Sequence, residues 1–317
     1  MRVILLALLL CNDAVLNGVA RQLADRKATG QATDEAQLAY FLHAAGDAHP
    51  WPRAWLGSDP ARGEAWNGAW KRSGEARCGS AGGAVVGVDA LADLETPIPL
   101  RARTGQWISV EARMLVPASA ARVVVSTNDA DPRPILSSFD AQGQRIRARV
   151  SADHPGAMTI QVIADVASGP RPVIETTVFV DVEPQAQPQI APGEHAGGDL
   201  GKMLDAMRAE LGLPALARDP KLDALAADHT RRMMRQQSTT HDAGDGSPID
   251  RLRDAGVAAV EAGENVAHAA SIVRAHRALW NSPSHRKNLV RSDFARVGVA
   301  AMTDADGTVW VTEMFVR

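Results

Sequence analysis

Two hydrophobic periods meet in this chain, and a proline-rich stretch parts them. Between residues 97 and 183 apolar side chains recur at every second position. In the segment from Trp107, Ile108, Val110, Ala112, Met114 and Val116 share one face, while Ser109, Glu111 and Arg113 share the other. Residues 145–151 repeat the pattern with Ile146, Ala148 and Val150, as do 159–166 and 173–182, with shorter pieces at 123–125 and 135–136. A period of two belongs to strands buried on one face. Asn128, Asp129, Pro132, Gly143, Pro155, Gly156, Gly169 and Pro170 punctuate these runs, so residues 97–183 are predicted to form an all-β antiparallel sandwich.

Residues 184–198 carry Pro184, Pro188 and Pro192 among Gln, Ala and Gly, with no apolar period, and are expected to be an extended linker. From residue 199 the period becomes helical. Met203, Leu204, Met207 and Leu211 precede Gly212. Asp219 before Pro220 is an N-cap followed by a first-turn proline. Leu222, Leu225, Ala226, His229 and Met233 then define one helical face. Ser247-Pro248 opens a short helix ending at Gly256, and 271–280 reads as another. Segments 296–302 and 308–316, joined by 304–307, read as a strand hairpin. Residues 199–317 are therefore expected to be an α+β domain.

At 317 residues the chain has room for two or three domains. A net charge of −3 argues against a general nucleic-acid binder with a broad basic surface. Two cysteines allow at most one internal disulfide, between Cys11 and Cys78. The one long apolar run, residues 3–10, is too short for a transmembrane helix. It reads either as a short signal peptide, with Gly18-Val19-Ala20 as cleavage site, or as the first buried segment of a domain.

Chemistry concentrates near the C-terminus, in His241, in Glu264 of Gly263-Glu264-Asn265, and in His285 of Ser282-Pro283-Ser284-His285. Two imidazoles and a carboxylate suit a zinc site with an open position. Without metal, Glu264 beside a histidine is a general acid–base pair. No Gly-x-Ser-x-Gly elbow and no His-Glu-x-x-His motif occurs, which argues against a serine hydrolase and a zincin protease. His229, on an apolar face, is expected in the core, and Asn265 is expected to fix a loop.

These motifs, in the order Gly212-Leu213-Pro214, Asp219-Pro220-Lys221-Leu222, His229, His241, Asp245-Gly246-Ser247, Arg251-Leu252, Gly263-Glu264-Asn265, Trp280 to Leu289, Val297-Gly298-Val299 and Trp310, resemble the CAP superfamily in its bacterial, SCP-domain branch. The resemblance implies an α-β-α sandwich over 199–317. It also implies a cleft lined by His241, Glu264 and His285, which in the family sometimes holds zinc. The second acidic residue of eukaryotic members has no match here; Ser282 or Ser284 stands where it is sought. The resemblance implies a secreted or envelope protein binding lipid, a cell-wall fragment or a protein partner, with a metal-assisted hydrolase as the alternative. Over one hairpin, residues 153–159 resemble immunoglobulin-like bacterial modules.

Residues 1–93 echo the last domain. Leu10 to Ala20 parallels Leu216 to Ala226, Leu42 to Gly46 parallels Leu252 to Gly256, and Gly83 to Leu91 parallels Gly307 to Phe315. Residues 1–93 are therefore expected to be a small α/β domain, a degenerate CAP-like copy without Gly-Glu-Asn or Ser-Pro-x-His.

Overall fold

Asp13 opens the first helix of the computed structural model, which describes residues 12–31, 33, 35–50, 52–56, 75–127, 133–167, 169–186, 191–269, 271–305 and 307–317. The apolar run 3–10 and Cys11 lie outside these residues. The chain divides into two compact units, Met1–Pro188 and Gln189–Arg317.

In the N-terminal unit, α1 (Ala14–Ala28) is capped by the Asp13 carboxylate, which accepts from the Val15 and Leu16 amides. Leu16, Val19, Ala20 and Leu23 give it one buried face. It packs with α2 (Glu35–Ala44) on a three-stranded antiparallel sheet of β1 (Arg53–Leu56), β2 (Glu75–Ala81) and β3 (Ala84–Ala90), in the order β1-β3-β2. Cys78, on β2, is disulfide-bonded.

A second core lies between two further sheets. With β4 (Ala92–Leu94), β5 (Arg101–Ala102), β6 (Trp107–Met114), β7 (Ala118–Thr127), β8 (Arg133–Ile135), β9 (Ser137–Asp140), β10 (Arg145–Ser151), β11 (Gly156–Val166) and β12 (Gly169–Val180), the orders are β4-β6-β10-β9 and β5-β12-β11-β7-β8. Ile108, Val110, Ala112, Ile146 and Val150 from the first sheet meet Val123, Ile160, Val162, Ile174 and Val178 from the second. The end of α2 is tied to this sandwich. Ala48 lies in its core and its carbonyl accepts from the Glu175 amide. The His43 ring donates to the Glu175 carbonyl (3.1 Å) and accepts from the Thr177 amide (3.3 Å).

The C-terminal unit holds a four-stranded sheet, β13 (Ala217–Arg218), β15 (Arg296–Thr303), β16 (Val309–Val316) and β14 (Ala262–Ala269), in that order across the sheet. All eight residues of β16 are buried, as expected of a strand covered on both faces. Val309, Val311 and Phe315 pack on α3 (Leu200–Glu210) and α6 (Ile272–Asn281). The opposite face packs on α4 (Pro220–Gln236) and α5 (Pro248–Asp254): Met314 with Leu222 and Leu252, Trp310 with Met233. The segment that carries His285 folds as a separate short helix, α7 (Pro283–Val290). The result is the α-β-α layering implied for 199–317.

The two α/β pieces share local geometry. Asp219 caps α4 as Asp13 caps α1. The Asp13 amide donates to Cys78 O and the Asp219 amide to Val297 O, both at 3.0 Å. The Ser80 amide donates to Asn17 Oδ1, and the Val299 amide to Asp223 Oδ1, both at 2.8 Å. Gly79 abuts the backbone of Leu16 and Asn17, and Gly298 that of Leu222 and Asp223. The β2–β3 hairpin takes β1 on the far side of β3, and the β15–β16 hairpin takes β14 on the far side of β16.

Candidate functional site

The site grows from edge strand β14. The Gly-Glu-Asn segment lies within this strand, where Asn265 was expected to fix a loop. Because successive strand residues face opposite ways, Glu264 turns toward α4 and α5, and Asn265 toward α7.

On the first side Glu264 is buried in a polar network. Its Oε1 contacts His241 Nδ1 at 2.8 Å, with His229 Nε2 at 3.8 Å. Its Oε2 accepts from the buried Arg251 guanidinium. Arg251 also donates to the carbonyls of His241 (3.0 Å) and Gly246 (2.6 Å) and reaches Asp245 at 3.4 Å. Behind them the fully buried His229 contacts Asp245 Oδ2 (2.9 Å) and the Thr240 carbonyl (2.8 Å), so both ring nitrogens face oxygen acceptors. Burial pushes the Asp245 carboxyl up, but the His229 hydrogen bond and the His229 and Arg251 charges outweigh it, so the group sits below the ordinary carboxylate range.

On the second side Asn265 donates to Glu313 Oε2 (3.0 Å) and to the His285 carbonyl (3.2 Å). Asn288 donates to Asn265 Oδ1 (2.9 Å) and the Glu264 carbonyl (3.3 Å). Thus α7, which carries His285, is pinned to β14. Burial pushes the Glu313 carboxyl up to about 7, opposed by the Asn265 hydrogen bond. Burial, with the nearby His241 charge, pushes the His285 imidazole down to about 4.

Of the three residues singled out from sequence, His241 and Glu264 are in contact. His285 stands near enough to His241 to feel its charge, but among the described residues no hydrogen bond joins its ring to either. Only His241 of this network is well exposed, its side chain 47% accessible against 1% for Glu264. Arg251, Asp245 and Glu313 were not anticipated as partners. Arg251 and Asp245 sit in the quoted motifs, but nothing in their spacing pairs them with Glu264.

Zinc fits this donor set poorly. Both Glu264 oxygens are engaged, one by a guanidinium whose charge repels a cation. Among the described residues no group of three or more His, Cys, Asp or Glu is arranged to hold a metal.

The same domain is found in other proteins. Residues 202–315 match the CAP model, the cysteine-rich secretory protein family. The uncharacterized protein YkwD of Bacillus subtilis (strain 168) is 29% identical over 117 residues, covering 36% of this chain and 44% of that relative. The chain thus spans less than half the length of that curated relative. Among solved structures, an outer surface protein of Borrelia burgdorferi aligns at 22% identity and TM-score 0.36, covering 37% of this chain and 89% of its own. An extracellular SCP-domain protein of Bacillus anthracis str. Ames aligns at 21% and 0.35, covering 70% and 69%. The fold and motifs of the C-terminal unit define an α-β-α domain built around a Gly-Glu-Asn strand. Residues 202–315 are thus a CAP domain, similar to those of bacterial proteins.

Proposed function

We propose that this is an exported CAP-domain protein whose C-terminal unit binds a ligand at the cell envelope through the surface around His241, Glu264 and His285. The observation that carries this reading is the state of Glu264. A buried carboxylate held by Arg251 and His241 is a scaffold for the exposed imidazole, poorly placed to hold zinc or activate water. The candidate ligands are a lipid, a cell-wall fragment or a protein partner. Export is supported by the disulfide at Cys78, a bond that persists in oxidising compartments. Among the described residues no helix is long and apolar enough to cross a membrane. We read residues 1–93 as a degenerate CAP-like copy, supported by the shared capping, strand and glycine contacts, and the sandwich as an immunoglobulin-like spacer.

Two measurements on the full chain test this. Zinc titration is expected to give no stoichiometric binding. Cosedimentation with peptidoglycan sacculi and with phosphatidylglycerol vesicles is expected to show binding to one of them, weakened in His241→Ala. Zinc at one per chain, lost in His285→Ala, would replace this reading with the metal-assisted hydrolase.

A further inference from the structure

The outward face of the β4-β6-β10-β9 sheet carries side chains its fold does not use. Antiparallel pairing sets Trp107 opposite Ser151, Ser109 opposite Arg149, Glu111 opposite Arg147 and Arg113 opposite Arg145. Their neighbours Ile108, Val110, Ala112, Ile146, Ala148 and Val150 fill the core, so these eight face away from it. Arg145 is held by Glu95 (2.6 Å), and Arg113 approaches Asp93 (3.7 Å). Arg147 forms no ion pair among the described residues. The Arg149 guanidinium lies over the Trp107 ring, 4.9 Å from its centre.

Trp107 nevertheless remains 57% exposed, and Leu136 is 95% exposed. Together with Ile135, Arg133, Arg149 and Asp153 they line an open groove of about 660 Å³. Arg133 and Asp153 pair at 2.7 Å, both partly exposed, which leaves further donors and lone pairs facing outward. An exposed tryptophan and an exposed leucine share this groove.

The groups around this indole select the ligand. A flat aromatic face takes the C–H face of a pyranose ring. A guanidinium fork and a carboxylate take vicinal hydroxyls. The cations Arg147 and Arg149, two residues apart on one strand, form no ion pair among the described residues, although Glu111 stands opposite Arg147 and Asp140 feels its charge, and they favour an anion beside the ring. Asp153 at the groove wall disfavours a dianionic phosphate and tolerates a singly charged carboxylate better. An open groove, lined by β6 and β10 of one sheet and β8 of the other, suits a chain running across it, not an enclosed small molecule. We infer that this face binds an acidic polysaccharide, a uronate sugar stacking on Trp107 with its carboxylate toward Arg149 and Arg147. The groove belongs to the N-terminal unit and shares no residue with the His241 site.

The test is retention of the full chain on immobilised polygalacturonate, with neutral dextran and an oligothymidylate as competitors. Retention is expected to fall with added salt, to weaken about tenfold or more in Trp107→Ala, and several-fold in Arg149→Ala and Arg147→Ala. Dextran and the oligonucleotide should compete poorly. Unchanged denaturation midpoints in the variants would exclude unfolding as the cause, since all three side chains are exposed. Absent retention, or full retention by a folded Trp107→Ala, overturns the proposal. Equal competition by dextran removes the role of the arginines. Stronger competition by the oligonucleotide reassigns the face to nucleic acid.

Discussion

Glu264 is usable as a support only because Arg251 neutralises it in the interior. Both side chains are almost inaccessible, and Asp245 shares the same guanidinium. Removing one partner of such a pair strands the other without water. Arg251→Ala is expected to destabilise the C-terminal unit by about 3–5 kcal/mol in urea titrations, and adding Glu264→Gln should restore part of that loss. If the double variant were no better than the single, the pair would not be the cause. Glu313 behaves in the opposite sense. Its carboxyl is raised to about 7 in the fold, from 4.5 when unfolded. The folded state therefore keeps a proton that the unfolded state releases, and stability drains away as pH rises from 4.5 through 7. Relative to Glu313→Gln, the wild type should lose roughly 3 kcal/mol over that window, so the variant is the more stable at pH 8 and about equal at pH 4.5. The sequence exposed His241 and Glu264 because motif order is a one-dimensional signal. It hid Glu313, which looks like one polar interruption in the apolar run 309–316. It also hid Arg251, whose partner lies 13 residues away across a loop and is reached only through folding.

At the scale of elements, the alternating runs and capped helices were legible, and the elements built from motif residues were not. Gly263, Glu264 and Asn265 have low strand propensity, yet pairing along the whole of β16 makes them a strand. The Ser-Pro-Ser-His segment gave no helical period, yet Pro283 occupies the first turn of α7. The sequence parallel included Asp13 with Asp219 but not Gly79 with Gly298, which the structure places in like helix–strand contacts. Those glycines carry a prediction. A methyl group on Gly298 would strike the backbone at Leu222 and Asp223, and one on Gly79 the backbone at Leu16 and Asn17. Backbone cannot yield as a flexible side chain can, so Gly298→Ala and Gly79→Ala should each cost about 3 kcal/mol or more. Gly18→Ala, with open space around it, should be neutral or mildly stabilising. Equal midpoints for Gly79→Ala and Gly18→Ala would refute the shared helix–strand contact.

For the whole molecule, the change of period announced a division, and Met1–Pro188 and Gln189–Arg317 are separate compact units. The extended linker expected over 184–198 is corrected: residues 191–198 fold onto the C-terminal unit, with Ala191 buried, a 3₁₀ turn at Glu194–Ala196 and Glu194 paired with Arg277. Less legible was that residues 1–93 and the sandwich lie in one such unit. Among the ties are Ala48 in the sandwich core, the His43 ring and the Arg77–Asp93 ion pair, and none of them stands out in the sequence. The His43 tie should be sensitive to acid. His43 donates through one nitrogen and accepts through the other, so protonating it removes the acceptor for the Thr177 amide. Burial pushes the ring down to about 4, against upward contributions from the Glu175 carbonyl and the Asp47 charge. The unfolded chain takes up the proton near 6.5 and the folded chain only near 4, so stability is full above 6.5 and is lost as pH falls toward 4. Glu175, buried and raised, contributes with the opposite sign and would mask part of the slope in the wild type alone. The decisive quantity is the difference between wild type and His43→Gln, in which the Glu175 contribution largely cancels. The stability advantage of the wild type should shrink by about 3 kcal/mol between pH 6.5 and 4. A difference independent of pH would mean that His43 is not the ring that ties α2 to the sandwich.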